Sequence, residues 1–203
     1  MKNVIILGAT GTFGSALTKR LLADGKERLC LVSRHATEHL SDGDNFNVIN
    51  CDATSSDALE KILPGQDVIF CAISGDELPK VAKALVSAMP LSGVNRLIFM
   101  GAVGIYNEIP DEMDGEDNVA NNPDQIPNRD AVEIIENSGL NYTILRPGYL
   151  KEDIMGNMII TRKREAAKGY ETSIPALADL CCSIIDNGLY QRESISFTKD
   201  MTK

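Results

Sequence analysis

The stretch from Val4 to Gly14 constrains the fold of this chain more than any other. It reads V-I-I-L-G-A-T-G-T-F-G, so an apolar run typical of a buried strand is followed at once by three glycines. The residues after the last glycine, S-A-L-T-K-R-L-L-A-D, carry leucines at helical spacing. The pattern therefore predicts a strand, a tight turn and an amphipathic helix.

The three glycines, at positions 8, 11 and 14, have separate roles in a turn that binds phosphate. Gly8 permits the sharp exit from the strand, Gly11 lets backbone N–H groups approach a pyrophosphate, and Gly14 lets helix and strand pack closely. The first-turn N–H groups and the helix dipole then attract an anion. This glycine turn (residues 8–14) predicts a nucleotide site, to which the intervening residues also belong: Thr10, Thr12 and Phe13.

Apolar segments of strand length alternate with helical segments along most of the chain. The predicted strands after the first cover residues 28–33, 46–50, 67–71, 95–100, 141–146 and 194–197, and the predicted later helices cover residues 54–62, 79–89, 128–137 and 175–187. This alternation predicts an α/β fold with a doubly wound, mostly parallel sheet of the Rossmann type and a small C-terminal appendage. The length favours one domain spanning residues 1–203.

The carboxyl ends of the strands are where a ligand binds in such a sheet, so the residues that follow the fourth and fifth strands also belong to the predicted site. They are Ala72, Ile73 and Ser74 after the fourth strand, and Gly101, Ala102 and Val103 after the fifth.

The glycine spacing G-x-x-G-x-x-G resembles the cofactor turn of extended and atypical short-chain dehydrogenase/reductases, particularly NmrA-like NAD(P)-binding proteins. Residues 138–148, S-G-L-N-Y-T-I-L-R-P-G, are similar to the sixth strand of those proteins and the turn after it. The two motifs bracket about two thirds of the chain, so the resemblance covers a whole domain. It implies that Pro147, Gly148 and Tyr149 lie near the nicotinamide carboxamide.

The end of the second strand decides which dinucleotide is bound. An acidic residue about 20 positions beyond the glycines would hold the ribose 2′-hydroxyl of NAD, but this chain has Ser33 and Arg34 there. An arginine can bind the 2′-phosphate of NADP through paired charge-assisted hydrogen bonds. We therefore predict NADP as the cofactor, with NADPH preferred over NADH. Asp52 resembles the family's adenine-edge residue, and a plain turn aspartate is the alternative interpretation.

The sequence departs from the catalytic pattern of the superfamily it resembles. Catalytic members place a serine after the fifth strand and a Y-x-x-x-K pair on the next helix, where the lysine lowers the tyrosine pKa from about 10. Here the serine position falls on Gly101 or Ala102, and no tyrosine or lysine lies between Tyr106 and Tyr142. The catalytic residue is therefore unknown. Tyr106 is the candidate that remains, although a tyrosine leaving a strand is more often a packing residue.

Two functions from different classes fit these residues. The first is an NADPH-dependent reductase of a small acceptor such as a quinone or a flavin, as the resemblance to biliverdin and flavin reductase-type members of the superfamily implies. The second is a non-catalytic NADP(H) sensor that binds a partner protein through the acidic loop (residues 102–127). This loop is rich in acids and prolines and lacks periodicity, and long loops in compact domains are often functional.

The net charge and the lengths of the apolar runs indicate which classes of partner and which cellular compartment to expect. The net charge of −9 argues against nucleic acid and against an anionic membrane as partners. No apolar run approaches the roughly 20 residues of a membrane span, and the apolar run at the amino end is too short for a signal peptide. We therefore expect a cytoplasmic protein whose five cysteines are reduced. No metal site is expected, since His35 and His39 lack a third ligand.

Overall fold

The computed structural model of the protein describes residues 1–113 and 115–202. Its strands are β1 (Lys2–Leu7), β2 (Glu27–Ser33), β3 (Phe46–Asn50), β4 (Val68–Cys71), β5 (Arg96–Met100), β6 (Asn141–Pro147), β7 (Tyr149–Lys151), β8 (Met158–Arg162), β9 (Glu171–Ser173) and β10 (Glu193–Lys199). Its α-helices are α1 (Thr12–Asp24), α2 (Ala36–His39), α3 (Ser56–Ile62), α4 (Leu78–Ser92), α5 (Ile126–Glu136) and α6 (Ile174–Asn187).

Eight strands form one sheet in the order β3-β2-β1-β4-β5-β6-β10-β8. Every neighbouring pair is parallel except β10 and β8, which are antiparallel. The strand order reverses between β1 and β4, and such a switch point opens a crevice at the carboxyl ends of the strands. The predicted fold class, a mostly parallel sheet of the Rossmann type, is confirmed.

Helices cover both faces of the sheet, which explains why the central strands are apolar throughout. Along β1, Ile5 and Leu7 belong to one hydrophobic core, which α3, α4 and α5 complete. Val4 and Ile6 point to the other face and pack with α1 and α6. Since both faces of a strand are buried, continuous apolar runs replace the alternation seen in half-exposed sheets.

The carboxyl-terminal part of the chain adds two features. β7 and β9 form a small parallel sheet of their own, and β8 is an edge strand of the main sheet. The sequence predicts irregular structure around residues 149–170 with one short apolar piece at 158–161. These strands are short, and each is stabilised by a partner far along the chain, such as Phe197 opposite Ile160.

The acidic loop is folded onto the rest of the protein. Its described residues form three single turns of 3-10 helix, at Asp111–Met113, Gly115–Asp117 and Pro123–Gln125. Glu108 and Asn118 are buried within it. Asp114, one of the acids of this loop, lies outside the described residues.

Among the helices in residues 1–113 and 115–202, none combines the length and the apolar character that a membrane span requires.

Candidate functional site

The glycine turn leaves β1 at the carboxyl edge of the sheet. Gly8 has a φ of +85°, a conformation that side-chain-bearing residues rarely adopt. Its N–H donates to the carbonyl oxygen of Val32 at 2.8 Å, and the N–H of Ala9 donates to the same oxygen at 3.1 Å. These bonds tie the turn to the end of β2, so the two segments that the sequence predicts to face a dinucleotide are held together.

Gly11 and Gly14 are required for different reasons. A Cβ atom on Gly14 would lie 2.1 Å from the carbonyl oxygen of Gly8, so only glycine allows α1 to pack this closely on the turn. A Cβ atom on Gly11 would meet, among the described residues, only that same oxygen, at 3.3 Å. The space beside Gly11 is therefore open to a ligand.

The amino end of α1 has the character of an anion site. Gly11 is its N-cap, and within the described residues no side chain caps the helix and no acid lies in its first turn. The first backbone N–H groups of a helix lack acceptors within the helix itself, and the positive end of the helix dipole lies there. A phosphate group therefore fits the open space beside Gly11.

A cavity of about 580 Å³, here called the main cavity, lies at the carboxyl ends of β1, β2, β3 and β4. Its volume is within the range typical of small-molecule sites. Residues from four separate segments meet in its wall. Among them are eight that the sequence predicts for cofactor binding: Gly8, Thr10, Gly11, Arg34, Asp52, Ala72, Ile73 and Ser74.

Several other predicted residues do not line the main cavity in the described structure, among them Thr12, Phe13, Gly14 and Gly101. Thr12 begins α1, and Gly14 packs against the turn. Phe13 is buried, with its ring centroid 5.9 Å from that of Phe70, so its side chain belongs to the core. A Cβ atom on Gly101 would lie 3.1 Å from the Val132 side chain, so this glycine lies close under α5.

Arg34 lies at the mouth of the main cavity with 71% of its side chain exposed. Its Nη1 is 3.9 Å from Oε2 of Glu77, whose other oxygen pairs with Lys80 at 3.1 Å. Exposed ion pairs of this kind contribute little stability, so Arg34 can exchange Glu77 for a phosphate. The sequence analysis missed Glu77, because only the fold brings it beside Arg34.

Asp52 also lines the main cavity, and its carboxylate is held by its own turn. Oδ1 accepts the backbone N–H of Thr54 at 2.9 Å and the hydroxyl of Thr54 at 2.8 Å. These hydrogen bonds lower the pKa of Asp52, so the carboxylate is charged at neutral pH. The residue is thus both a turn aspartate and a charged group facing the cavity.

The two histidines and one cysteine complete the surroundings of the main cavity. His35 and His39 both line it, and Nδ1 of His35 is 3.0 Å from Oε1 of Glu38. The described residues contain no group of three side chains able to hold a metal ion. Cys51 also lines the cavity, and burial raises its pKa, so its thiol is protonated and unreactive at neutral pH.

A second cavity, of about 140 Å³, lies at the carboxyl ends of β5 and β6. Strands in a sheet are spaced by about 4.8 Å, so this second cavity is about 12 Å from β1 along the same edge. A ligand that extends from the glycine turn along this edge reaches it. The wall of the second cavity contains five of the predicted residues together with three others: Ala102, Val103, Pro147, Gly148 and Tyr149, then Asp117, Gln125 and Tyr170.

Tyr106 lines neither cavity in the described structure. Its hydroxyl donates to the carboxylate of Glu136 at 2.8 Å and lies 3.1 Å from the hydroxyl of Ser194. The guanidinium of Arg146 and the ammonium of Lys163 lie 4.9 and 4.6 Å from the centre of its ring. Burial raises the pKa of Tyr106, which makes its hydroxyl a poorer acid. These contacts are those of a packing residue.

Arg146 and Glu108 form an ion pair that is almost completely shielded from solvent, with 0% and 4% of their side chains exposed. Nε of Arg146 also donates to Ser194 at 3.0 Å. The pair joins β6 to the acidic loop. Sequence reasoning missed it, although an arginine inside an apolar strand is a signal, since a buried guanidinium needs an acidic partner.

Comparison with known proteins agrees with this geometry. Residues 8–188 match a family described as NAD(P)H-binding. A Rossmann-fold NAD(P)-binding family protein from Shigella flexneri is 30% identical, with a TM-score of 0.82 over 99% of this chain and 95% of that one. No curated protein sequence matches this chain significantly.

Two solved structures with lower identity have the same fold. One is a wide-type short-chain dehydrogenase/reductase from Veillonella parvula in complex with NADP, 23% identical, with a TM-score of 0.85 over 99% of this chain and 96% of that chain. The other is ChuY, an anaerobillin reductase from Escherichia coli O157:H7, 18% identical, with a TM-score of 0.80 over 99% of this chain and 98% of that chain.

Proposed function

We propose, from the premise that this chain belongs to the family of NAD(P)H-binding proteins, that it is an NADPH-dependent reductase of a small acceptor such as a quinone or a flavin. The observation that carries the proposal is the main cavity, which joins the glycine turn to Arg34 in one wall. Membership of the atypical, NmrA-like subclass of short-chain dehydrogenase/reductases is part of the proposal. The glycine spacing and residues 138–148 support it.

The residues of the main cavity fit a dinucleotide that carries a 2′-phosphate. Gly11 and the uncapped amino end of α1 would hold the pyrophosphate, Arg34 the 2′-phosphate and Asp52 the adenine edge. The structure of the Veillonella protein with NADP supports the choice of this cofactor. When bound, NADPH supplies a hydride to the acceptor.

The side chains of this protein contribute binding and orientation rather than proton transfer. α5, which follows β5 and the acidic loop, has neither a tyrosine nor a lysine. Its cation, Arg129, pairs with Asp130 at 2.6 Å, and a guanidinium offers hydrogen-bond donors but no acceptor for a proton. An acceptor that needs little acid from the protein is therefore the appropriate substrate, because positioning it supplies most of the catalysis.

The cofactor preference tests the role of Arg34. Charge-assisted hydrogen bonds to a 2′-phosphate contribute about 1.5 to 3 kcal/mol, or roughly 10- to 150-fold in affinity. We expect calorimetry to show NADPH binding tighter than NADH by about that factor, and Arg34→Ala to remove most of the difference. Arg28→Ala, on the exposed side of β2, is the matched control. Equal affinities for the two dinucleotides in the natural protein would contradict the proposal.

The second candidate function is a non-catalytic NADP(H) sensor, and the missing tyrosine-lysine pair favours it. A partner protein would bind the acidic loop, where Asp111, Glu112 and Glu116 are exposed. Oxidation of bound NADPH across a small panel of quinones and flavins separates the two functions. Turnover with any of them supports the reductase, and none with all of them supports the sensor.

A further inference from the structure

The second cavity has an aromatic wall and one charged side chain. Its described lining contains two tyrosines, one carboxylate and one amide, and the remaining residues are small or apolar. No lysine or arginine belongs to this part of the described lining. The charge that a ligand meets here is therefore that of Asp117.

The carboxylate of Asp117 is held in place from both sides. Its Oδ2 accepts the hydroxyl of Tyr149 at 2.6 Å, and its Oδ1 accepts the amide of Asn122 at 3.2 Å. Its backbone also packs closely on Gly104, where a Cβ atom would lie 2.4 Å from the carbonyl oxygen of Asp117. The negative charge cannot swing away from the cavity without breaking these contacts.

The loop segment that carries Asp117 is itself anchored. Asn118, its neighbour, is buried, and its side-chain amide accepts the N–H of Ile109 at 3.0 Å and donates to the carbonyl of Ile109 at 2.8 Å. One residue before Ile109, Glu108 pairs with the buried Arg146. The wall of the cavity is therefore preorganised by two buried polar contacts.

The two tyrosines of the wall belong to the region of the small sheet: Tyr149 begins β7, and Tyr170 immediately precedes β9. The N–H of Tyr149 donates to the carbonyl of Tyr170 at 2.7 Å. A Cβ atom on Gly148 would lie 2.1 Å from the same oxygen, so glycine is required for the two segments to approach. The sequence interpretation places Gly148 beside the nicotinamide, and the structure shows that it has this packing role.

We propose that the second cavity binds the acceptor of the reductase and selects planar ring compounds that carry no negative charge. This inference rests on the proposed function, and it names the class of substrate. Flat rings are favoured by tyrosine side chains, whose faces and edges both pack on aromatic groups. Anions are disfavoured, because a fixed carboxylate repels them and the described lining has no cation to compensate.

The test compares 1,4-naphthoquinone with 1,4-naphthoquinone-2-sulfonate, which has the same two rings and one added negative charge. Binding is measured by calorimetry on protein saturated with NADP⁺, so that no reduction occurs. The parent quinone is expected to bind at least about fivefold tighter, the effect of one like charge at a partly exposed site. Asp117→Asn keeps an acceptor for Tyr149 and should reduce the ratio to about twofold or less, and Asp117→Lys should reverse it.

Glu112→Gln is the matched control, because Glu112 is an exposed acid of the same loop outside the cavity wall. It should leave the ratio unchanged. Thermal unfolding of each variant verifies that it is folded. Equal or tighter binding of the sulfonate to the natural protein overturns the inference, and so does failure of the parent quinone to bind.

Turnover of the same two quinones with NADPH separates this inference from the proposed function. If the parent binds preferentially but neither quinone is reduced, the selectivity of the cavity stands and the reductase function is wrong. If both are reduced with equal kcat/KM, the reductase stands and the selectivity is wrong.

Discussion

Removing one partner of the ion pair between Glu108 and Arg146 should cost a large part of the stability of this protein. Burial lowers the pKa of Arg146 to about 10, so the guanidinium still carries its charge at neutral pH. Replacing Glu108 with alanine would leave that charge buried with the hydroxyl of Ser194 as its remaining hydrogen-bond partner among those described. It would also remove the acceptor of the Tyr106 backbone N–H, which lies 2.9 Å from Oε2.

The size of the effect follows from the shielding of the pair. Removing one partner of a buried ion pair typically costs about 3 to 5 kcal/mol, against a total stability of about 5 to 15 kcal/mol. Glu108→Gln retains an acceptor of similar shape and should cost less, about 1.5 to 3 kcal/mol. Replacing both partners, as in Glu108→Leu with Arg146→Met, should cost less stability than replacing one partner alone, because no buried charge is then left unpaired.

Urea unfolding at pH 7 measures these differences in the free energy of unfolding. A double-mutant cycle of Glu108→Leu, Arg146→Met and their combination isolates the coupling between the two side chains. Glu112→Ala, an exposed change in the same loop, should stay within about 0.5 kcal/mol of the natural protein. Additive single changes, with a coupling under about 0.5 kcal/mol, would show that the pair does not interact as the buried geometry requires.

Four further outcomes are expected. Gly14→Ala should lower the unfolding temperature, because its Cβ would lie 2.1 Å from a backbone oxygen of the glycine turn. Gly11→Val should fold but lose any thermal stabilisation by NADPH, because its side chain would fill the open space beside Gly11. Burial and a hydrogen bond with Asp186 raise the pKa of Glu27 above its ordinary value of 4.5. The free energy of unfolding should therefore fall as the pH rises through that raised pKa. In unfolding scans, Glu27→Gln should be more stable than the natural protein at pH 8 and equally stable at pH 4. Secondary alcohols should not be oxidised with NADP, because the protein lacks the tyrosine-lysine pair and general acid–base catalysis contributes about 10² to 10⁴ in rate. Robust oxidation of an alcohol that survives Tyr106→Phe would reveal an overlooked base.

The sequence by itself determined the features that are encoded locally. The glycine turn was predictable because a strand, three spaced glycines and an amphipathic helix are adjacent in the chain, and each glycine has a steric reason that needs no distant contact. The parallel sheet followed from the alternation of strands and helices, whose connections are right-handed by rule. That is why Arg34 and Ser74, 40 residues apart, could both be assigned to one site that the structure brings together.

Only the tertiary structure decided which side chains meet across long distances in the chain. Glu77 beside Arg34, Glu108 against Arg146, and Asp117 against Tyr149 are pairs separated by 32 to 43 residues, and no local pattern links their members. The same is true of β8, which is a strand because β10 lies beside it. Turn geometry and periodicity are properties of neighbouring residues. The pairing of charges and of edge strands depends instead on how the folded chain brings distant segments together.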